Sequence, residues 1–227
     1  MTVTLLIGGA RSGKSSLAVA RALDWQRDGS GGSLQNEGSQ HCGTFELASR
    51  QVVFVATGSA GDEEMADRIT RHQAERPQSW ATVEAPVDLV LGLRVASGIP
   101  TRDSEPALIV DCLSMWVANH LMAPFAAFSE DQLSTIEPTH SPDIETINWD
   151  EAETELLRQV GECFGFLATR SAPTWFVSNE VGLSLVPMSA MGRRYRDVLG
   201  RVNAKVSLLA DEAFLTVAGR VLRLERP

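Results

Sequence analysis

The stretch "GGARSGKS", residues 8–15, decides the fold of this chain. It matches the pattern G-x-x-x-x-G-K-[ST], in which glycines let successive backbone N–H groups face one phosphate. The apolar run at residues 3–7 precedes it and the helix-forming run "SLAVA" (16–20) follows it, so the order is strand, loop and helix. We therefore predict a loop that binds a nucleotide polyphosphate, formed by Gly8, Gly9, Ala10, Arg11, Ser12, Gly13, Lys14 and Ser15.

Two side chains of this loop have predicted roles in catalysis and metal binding. Lys14 would contact the β and γ phosphates, and the Ser15 hydroxyl would bind Mg²⁺. Such sites normally place a second acidic group at the end of another buried strand. Asp111 ends the apolar run "ALIVD", so we predict that it is the second metal-binding residue. A carboxylate that caps the following helix is the alternative.

Apolar runs alternate with helical patterns along the chain. The segments "QVVFVAT" (51–57), "ALIVD" (107–111) and "TWFVS" (174–178) are typical of strands that are covered on both faces. Residues 195–209 carry apolar side chains at helical spacing, and "AFLTVAGRVLRLE" (213–225) indicates a hairpin. These patterns predict an α/β fold of the P-loop NTPase type: a mostly parallel sheet flanked by helices, with a C-terminal β-hairpin.

Two segments interrupt this alternation. Residues 27–43 are rich in Gly, Ser and Gln, and residues 129–146 mix Pro, Thr and acidic residues. Both have the composition of surface insertions rather than of linkers between domains. We therefore predict one nucleotide-binding domain, residues 1–227, with two insertions.

Composition excludes several classes of function. A formal charge of −9 argues against general binding to nucleic acid, whose phosphates would be repelled. No apolar stretch has the length of a membrane span, and no basic residues precede the first apolar run, so we expect a cytoplasmic protein. Three cysteines far apart, Cys42, Cys112 and Cys163, indicate neither a disulfide framework nor a C-x-x-C zinc site. A small-molecule enzyme is the favoured class.

A histidine within residues 61–86 has two interpretations. Asp62 can cap a helix that runs to about Arg76, and Met65, Ile69 and His72 would lie on one side of it. A histidine on an apolar stripe is usually a core residue. The arginines around it also suit a site where a nucleophile attacks phosphate. Helical spacing leaves both interpretations open.

Polar residues that follow the strand at 174–178 are equally open. The run "SNEVG" (178–182) could reach a substrate at the carboxyl edge of the sheet, or it could merely form a turn. Further on, a solvated helix face is the favoured interpretation of Arg193, Arg194, Arg196 and Arg201.

Several motifs in the chain resemble those of one enzyme family. They are "GGARSGKS", "ATG" (56–58), "DEEMADRITRHQAERPQSWATVE" (62–84), "VDCLSMW" (110–116), "VSNEVGLSLVP" (177–187) and "RRYRDVLGRVN" (193–203). Together they resemble the bifunctional adenosylcobinamide kinase/adenosylcobinamide-phosphate guanylyltransferase family of cobalamin biosynthesis. The resemblance runs from near residue 4 to the C-terminal hairpin, outside the two insertions.

The resemblance implies two reactions on one corrinoid substrate. ATP or GTP phosphorylates the aminopropanol hydroxyl of adenosylcobinamide, and GTP then donates GMP through a GMP-histidine intermediate, giving adenosylcobinamide-GDP and pyrophosphate. By position, the histidine of that intermediate falls on His72. Nucleotide contacts fall on the loop and on Ala56, Thr57, Gly58, Gln73, Ala74, Glu75, Arg76, Glu84 and Asp111. The resemblance also implies a homo-oligomer, namely a trimer. A small-molecule kinase without guanylyl transfer and a nucleotide-dependent regulatory module are the alternatives.

Overall fold

The computed structural model describes residues 2–29, 50–58, 70, 72–101, 105–122 and 149–226. Within these ranges one sheet has the strand order β3-β2-β4-β5-β1-β6-β7. The first six strands in sequence run parallel to one another, and β7 is antiparallel to β6. The predicted parallel sheet and C-terminal hairpin are therefore confirmed. The strands are β1 (Val3–Gly8), β2 (Val52–Ala56), β3 (Ala81–Glu84), β4 (Ala107–Asp111), β5 (Thr174–Asn179), β6 (Glu212–Val217) and β7 (Arg220–Leu224).

Helices cover both faces of this sheet, as the continuous apolar runs predicted. On one face, Ala18 and Ala22 of the first helix pack against Leu6, Phe54 and Ile109. On the other face, the remaining helices share a core with the alternate residues of the same strands. The helices are α1 (Lys14–Gly29), α2 (Leu89–Ser97), α3 (Leu113–Met122), α4 (Trp149–Leu167) and α5 (Ala190–Leu209), and residues 72–74 are helical as well.

Strand order places the predicted site at one edge of the sheet. β5 lies between β1 and β4, with Gly8 opposite Asn179 and Asp111 opposite Val177. Because parallel strands end at the same edge, the phosphate-binding loop after β1 and the acid at the end of β4 meet there. Ligands of open α/β sheets bind at this edge.

Two predicted boundaries differ from the structure. The first helix continues to Gly29, so residues 27–29 are not part of an insertion; residues 30–43 and 129–146 lie outside the described residues. The helix expected to reach Arg76 ends earlier, with a turn at Glu75 and a bend at Arg76. Pro77 explains this end, because a proline disfavours the helical conformation of the residue before it. The predicted cap Asp62 lies outside the described residues.

Candidate active site

The phosphate-binding loop has the tight backbone that its glycines predicted. A Cβ on Gly8 would stand 2.3 Å from the carbonyl oxygen of Thr216, so no other residue fits beside β6. Gly13 has φ +95°, a conformation that side chains with a Cβ rarely adopt. The hairpin turn between β6 and β7 supports the loop, because the Gly219 N–H donates to the Ser12 carbonyl over 3.1 Å.

Lys14 is the first residue of α1 and is almost entirely buried. Its ammonium donates to the Gly9 carbonyl over 3.0 Å, across the mouth of the loop. A lysine so placed presents its charge to any anion that the loop amides bind. Its position agrees with the predicted phosphate contact.

The Asp111 carboxylate lies beside the start of α1. It is within hydrogen-bonding range of the Ser15 hydroxyl, while its Oδ2 is buried and has no hydrogen-bond partner among the described residues. Burial raises the pKa of Asp111, and the Ser15 hydrogen bond and the charges of His72, Lys14 and Arg76 oppose that rise. An unpartnered buried carboxylate oxygen next to a serine hydroxyl fits a hard divalent cation such as Mg²⁺. This placement favours the metal-binding interpretation over the helix cap.

A cleft of about 230 Å³ opens between α1 and residues 72–76. The α1 wall presents two polar side chains at its start and apolar side chains beyond them. Phe54, in the middle of β2, and Asp111, the last residue of β4, also line the cleft. The residues of α1 and of the opposite wall are Ser15, Ser16, Val19, Ala20, Leu23, His72, Glu75 and Arg76.

His72 is not a core residue, because 46% of its side chain is exposed. It lines the same cleft as Ser15 and Asp111, and its Nδ1 lies 3.9 Å from a Glu75 carboxylate oxygen. The core-histidine interpretation is therefore wrong. A half-exposed imidazole in a cleft beside a phosphate-binding loop is accessible to a bound nucleotide.

Arg76 is buried, although arginines are mostly exposed. Its guanidinium lies 3.9 Å from the centre of the Phe54 ring, and its Nη1 has no hydrogen-bond partner among the described residues. Burial lowers the pKa of Arg76, and the nearby Asp111 charge opposes that fall. A cation held on an aromatic ring with an unused N–H group is suited to bind a phosphate oxygen.

The other predicted nucleotide contacts do not line the cleft. Ala56 and Glu84 end adjacent strands and lie opposite each other in register, while Gln73, Ala74 and Glu84 are exposed. Gly58 follows β2 at the same edge of the sheet. Their roles as nucleotide contacts stay predictions.

Thr57 has a structural function that the sequence did not indicate. Its buried hydroxyl donates to the Cys112 carbonyl over 2.7 Å and accepts from the Cys112 N–H over 2.8 Å. The Thr57 N–H also donates to the Asp111 carbonyl. These bonds join the ends of β2 and β4 and fix the backbone that carries Asp111.

Replacing Thr57 with Val should destabilise the protein by about 1–3 kcal/mol, because the Cys112 N–H would lose its hydrogen-bond acceptor, while the Cys112 carbonyl would keep only the Trp116 N–H. Equilibrium urea unfolding measures this change. Thr154→Val is the matched control, because the Thr154 hydroxyl bonds to Asp150 on an exposed helix surface and its loss should cost under about 0.5 kcal/mol. Equal costs for the two variants would contradict a joining role for Thr57.

Most of the arginines that were predicted to form a solvated helix face contact other residues of the chain. Arg193 donates to the Pro187 and Met188 carbonyls, Arg196 pairs with Asp197, and Arg201 pairs with Glu153.

No cluster of three or more His, Cys, Asp or Glu residues suited to a metal occurs within the ranges that the structure describes. The same ranges contain no helix that is long and apolar enough to cross a membrane.

The fold and the site together define a class of protein. A phosphate-binding loop between β1 and α1, beside a buried acid at the end of a parallel strand, is the arrangement of P-loop nucleotide-binding proteins. Within that class, the chain belongs to the cobinamide kinase/cobinamide phosphate guanyltransferase family, whose sequence model matches residues 32–224. The resemblance found in the sequence motifs is therefore confirmed.

Relatives extend the match over nearly the whole chain. The bifunctional adenosylcobalamin biosynthesis protein CobP of Pseudomonas aeruginosa is 31% identical over 221 residues, which are 97% of this chain and 96% of that protein. The bifunctional adenosylcobalamin biosynthesis protein CobU of Salmonella typhimurium is 30% identical, over 95% of each chain. Among solved structures, an ATPase of a bacterial type III secretion system has a TM-score of 0.47 at 13% identity, over 94% of this chain and 51% of that one. That likeness is too low to add to the assignment.

Proposed function

We propose that this chain is a bifunctional transferase of cobalamin biosynthesis, with both reactions using one nucleotide site. In the first reaction, ATP or GTP phosphorylates the aminopropanol hydroxyl of adenosylcobinamide. In the second, GMP passes from GTP to His72 and then to adenosylcobinamide phosphate. The observation that carries this proposal is that His72, Arg76, Ser15 and Asp111 all line one cleft beside the loop.

In the kinase reaction, the loop amides and Lys14 hold the β and γ phosphates. The substrate hydroxyl oxygen bonds to the γ-phosphorus and releases its proton to water, while the bond from that phosphorus to the β–γ bridging oxygen breaks. Lys14 and the loop amides stabilise the negative charge that develops on the leaving diphosphate. The chain thereby acts mainly by positioning and by electrostatic stabilisation.

In the guanylyl reaction, a ring nitrogen of His72 uses its lone pair to bond to the α-phosphorus of GTP. The bond from that phosphorus to the α–β bridging oxygen breaks, and pyrophosphate leaves. A phosphate oxygen of adenosylcobinamide phosphate then displaces the imidazole, which restores His72 and gives adenosylcobinamide-GDP. Arg76, whose Nη1 has no hydrogen-bond partner among the described residues, would bind a phosphate oxygen during both displacements.

Mg²⁺ fits this site through the Ser15 hydroxyl and the Asp111 carboxylate. When bound, the cation would supply positive charge to the phosphate oxygens. Burial alone disfavours the ionised form of the Asp111 carboxylate. A bound cation would therefore also stabilise that ionised form.

Asp111→Asn should raise the Mg²⁺ concentration needed for half-maximal activity by roughly 10- to 100-fold, because a neutral amide binds the cation more weakly. Titration of both reactions with MgCl₂ measures this requirement. The substitution keeps the size of the side chain, so the melting temperature should change little. An unaltered metal requirement would return Asp111 to a helix-capping role.

The proposal is tested directly with GTP labelled in its α-phosphate. Incubation with the protein and a divalent cation should give an acid-labile GMP adduct of one nucleotide per chain, which mass analysis places on His72. A protein that phosphorylates adenosylcobinamide without any adduct, under several divalent cations, would be a kinase only. A protein that hydrolyses GTP but modifies no corrinoid would support the regulatory alternative.

We further infer that the protein acts as a cytoplasmic homo-oligomer, with the trimer that the family resemblance implies. Light scattering at several protein concentrations tests that state.

A further inference from the structure

The loop between β5 and α5 carries apolar side chains that stay exposed among the residues that the structure describes. Leu185 and Met188 are 93% and 98% exposed, and Leu183 and Val186 are 84% and 65% exposed. We call Leu183, Leu185, Val186 and Met188 the apolar rim. Clustered exposed apolar side chains of this kind mark surfaces that bind a ligand or a partner.

Internal hydrogen bonds hold this loop in shape. The Ser184 hydroxyl donates to the Val181 carbonyl over 2.7 Å, and the Gly182 N–H donates to the Glu180 carboxylate over 2.5 Å. At the other end, the Arg193 guanidinium donates to the Met188 carbonyl over 2.6 Å. These hydrogen bonds fix the backbone of the loop. The exposed apolar side chains are therefore held in place before any ligand binds.

The rim begins beside the nucleotide site. β5 lies between β1 and β4, so the loop leaves the sheet between the phosphate-binding loop and Asp111. The Glu180 N–H donates to the Gly8 carbonyl over 3.0 Å, which joins the start of the rim loop to the first residue of the phosphate-binding loop. The rim loop therefore starts at the edge of the sheet that carries the phosphate-binding loop.

The size of the rim fits a small molecule better than a second copy of the chain. A stable interface between proteins buries about 800 Å² on each partner, from roughly 20–30 residues. Four side chains fall well short of that area. A small apolar patch of this kind suits one face of a flat macrocycle, whose apolar atoms need cover while its polar groups stay in water.

We propose that the apolar rim binds the corrin macrocycle of the acceptor and thereby places its phosphorylated or free hydroxyl arm at the nucleotide. This inference rests on the proposed function, because the corrinoid is the acceptor in both reactions. The rim contributes binding and positioning, and no rim side chain touches the reacting phosphorus.

The double variant Leu185→Ser/Met188→Ser tests the rim. Both side chains are exposed, so the melting temperature should stay the same. We expect the KM for adenosylcobinamide to rise about tenfold or more, since two apolar side chains lose their contact with the ligand. The KM for the nucleotide and the kcat at saturating corrinoid should not change. Leu208→Ser, which alters a 70% exposed leucine at the far end of α5, is the matched control and should leave every constant unchanged.

Equilibrium dialysis measures the binding of cobinamide through its visible absorbance, independently of turnover. It therefore tests the binding role of the apolar rim separately from the proposed function. Weaker binding of cobinamide to the double variant than to the parent protein supports the binding role of the apolar rim, even if the parent shows no turnover. Absence of turnover would refute only the proposed function. Equal binding by the parent and the variant overturns the rim. A variant with a smaller oligomer in light scattering also overturns it, because a second copy of the chain then covers these side chains.

Discussion

Lys14→Ala should depress phosphoryl transfer and guanylyl transfer together, each on the order of 10²- to 10³-fold. The reason is that one ammonium serves both reactions: it binds the β and γ phosphates whether the γ-phosphoryl group or the GMP moiety departs. Lys14 is almost entirely buried at the mouth of the loop, where its charge is poorly screened by water. Rates of corrinoid phosphorylation and of GMP-adduct formation, with calorimetric titration of the nucleotide, measure the three effects.

Lys205→Ala is the matched control, because it removes a half-buried lysine from α5, away from the cleft. It should leave both reactions unchanged. Alanine favours helices, so Lys14→Ala should keep α1 intact, and thermal melting checks this. If Lys14→Ala lost guanylyl transfer but kept the wild-type kinase rate, the two reactions would not share one nucleotide site.

The phosphate-binding loop was predictable from eight residues because its sequence dictates its backbone. Gly13 needs a positive φ and Gly8 leaves no room for a Cβ, so few other residues could form the same turn. The strands were equally predictable, since β4 and β5 are buried on both faces and are apolar throughout most of their length. Local sequence specifies both features.

Strand order is what brings His72 to Asp111, and local sequence does not specify it. The segment that carries His72 follows β2, which pairs with β4, so the two side chains reach the same cleft only once the sheet has formed. Helical spacing left the core and catalytic interpretations of His72 open for this reason, because spacing describes one helix face and not the residues that lie opposite that face. The resemblance to a family supplied the assignment that periodicity could not.

Tertiary packing also buries Arg76 and Thr57, which their amino-acid types alone do not predict. Arginine is rarely buried, and Arg76 is covered because Phe54 of β2 offers its ring face to the guanidinium. Phe54 itself was predicted only as a strand residue. Thr57, expected as a nucleotide contact, uses both hydrogen-bonding functions of its hydroxyl on Cys112. These contacts join segments that are distant in sequence, so no local pattern reveals them.

His72→Asn should abolish the GMP adduct and guanylyl transfer while corrinoid phosphorylation continues within a few-fold of the wild-type rate. An amide nitrogen is too weak a nucleophile to displace pyrophosphate, whereas the kinase reaction forms no covalent bond to the protein. Nearly half of the His72 side chain is exposed, so a polar replacement should cost little stability. Labelling with α-phosphate-labelled GTP, a coupled kinase assay and thermal melting measure the three properties on one preparation.

His120→Asn is the matched control for His72→Asn. His120 is a partly buried histidine whose Nε2 lies 3.1 Å from the Val87 carbonyl oxygen and whose ring packs edge-on against Trp116, outside the cleft. Its replacement should reduce the melting temperature without affecting the adduct, the reverse of the pattern expected for His72. Labelling of His72→Asn at the wild-type rate would place the GMP acceptor on another residue. An unfolded His72→Asn protein would contradict the exposed, catalytic position, because the loss of a nucleophile at a half-exposed site has no reason to disrupt the core.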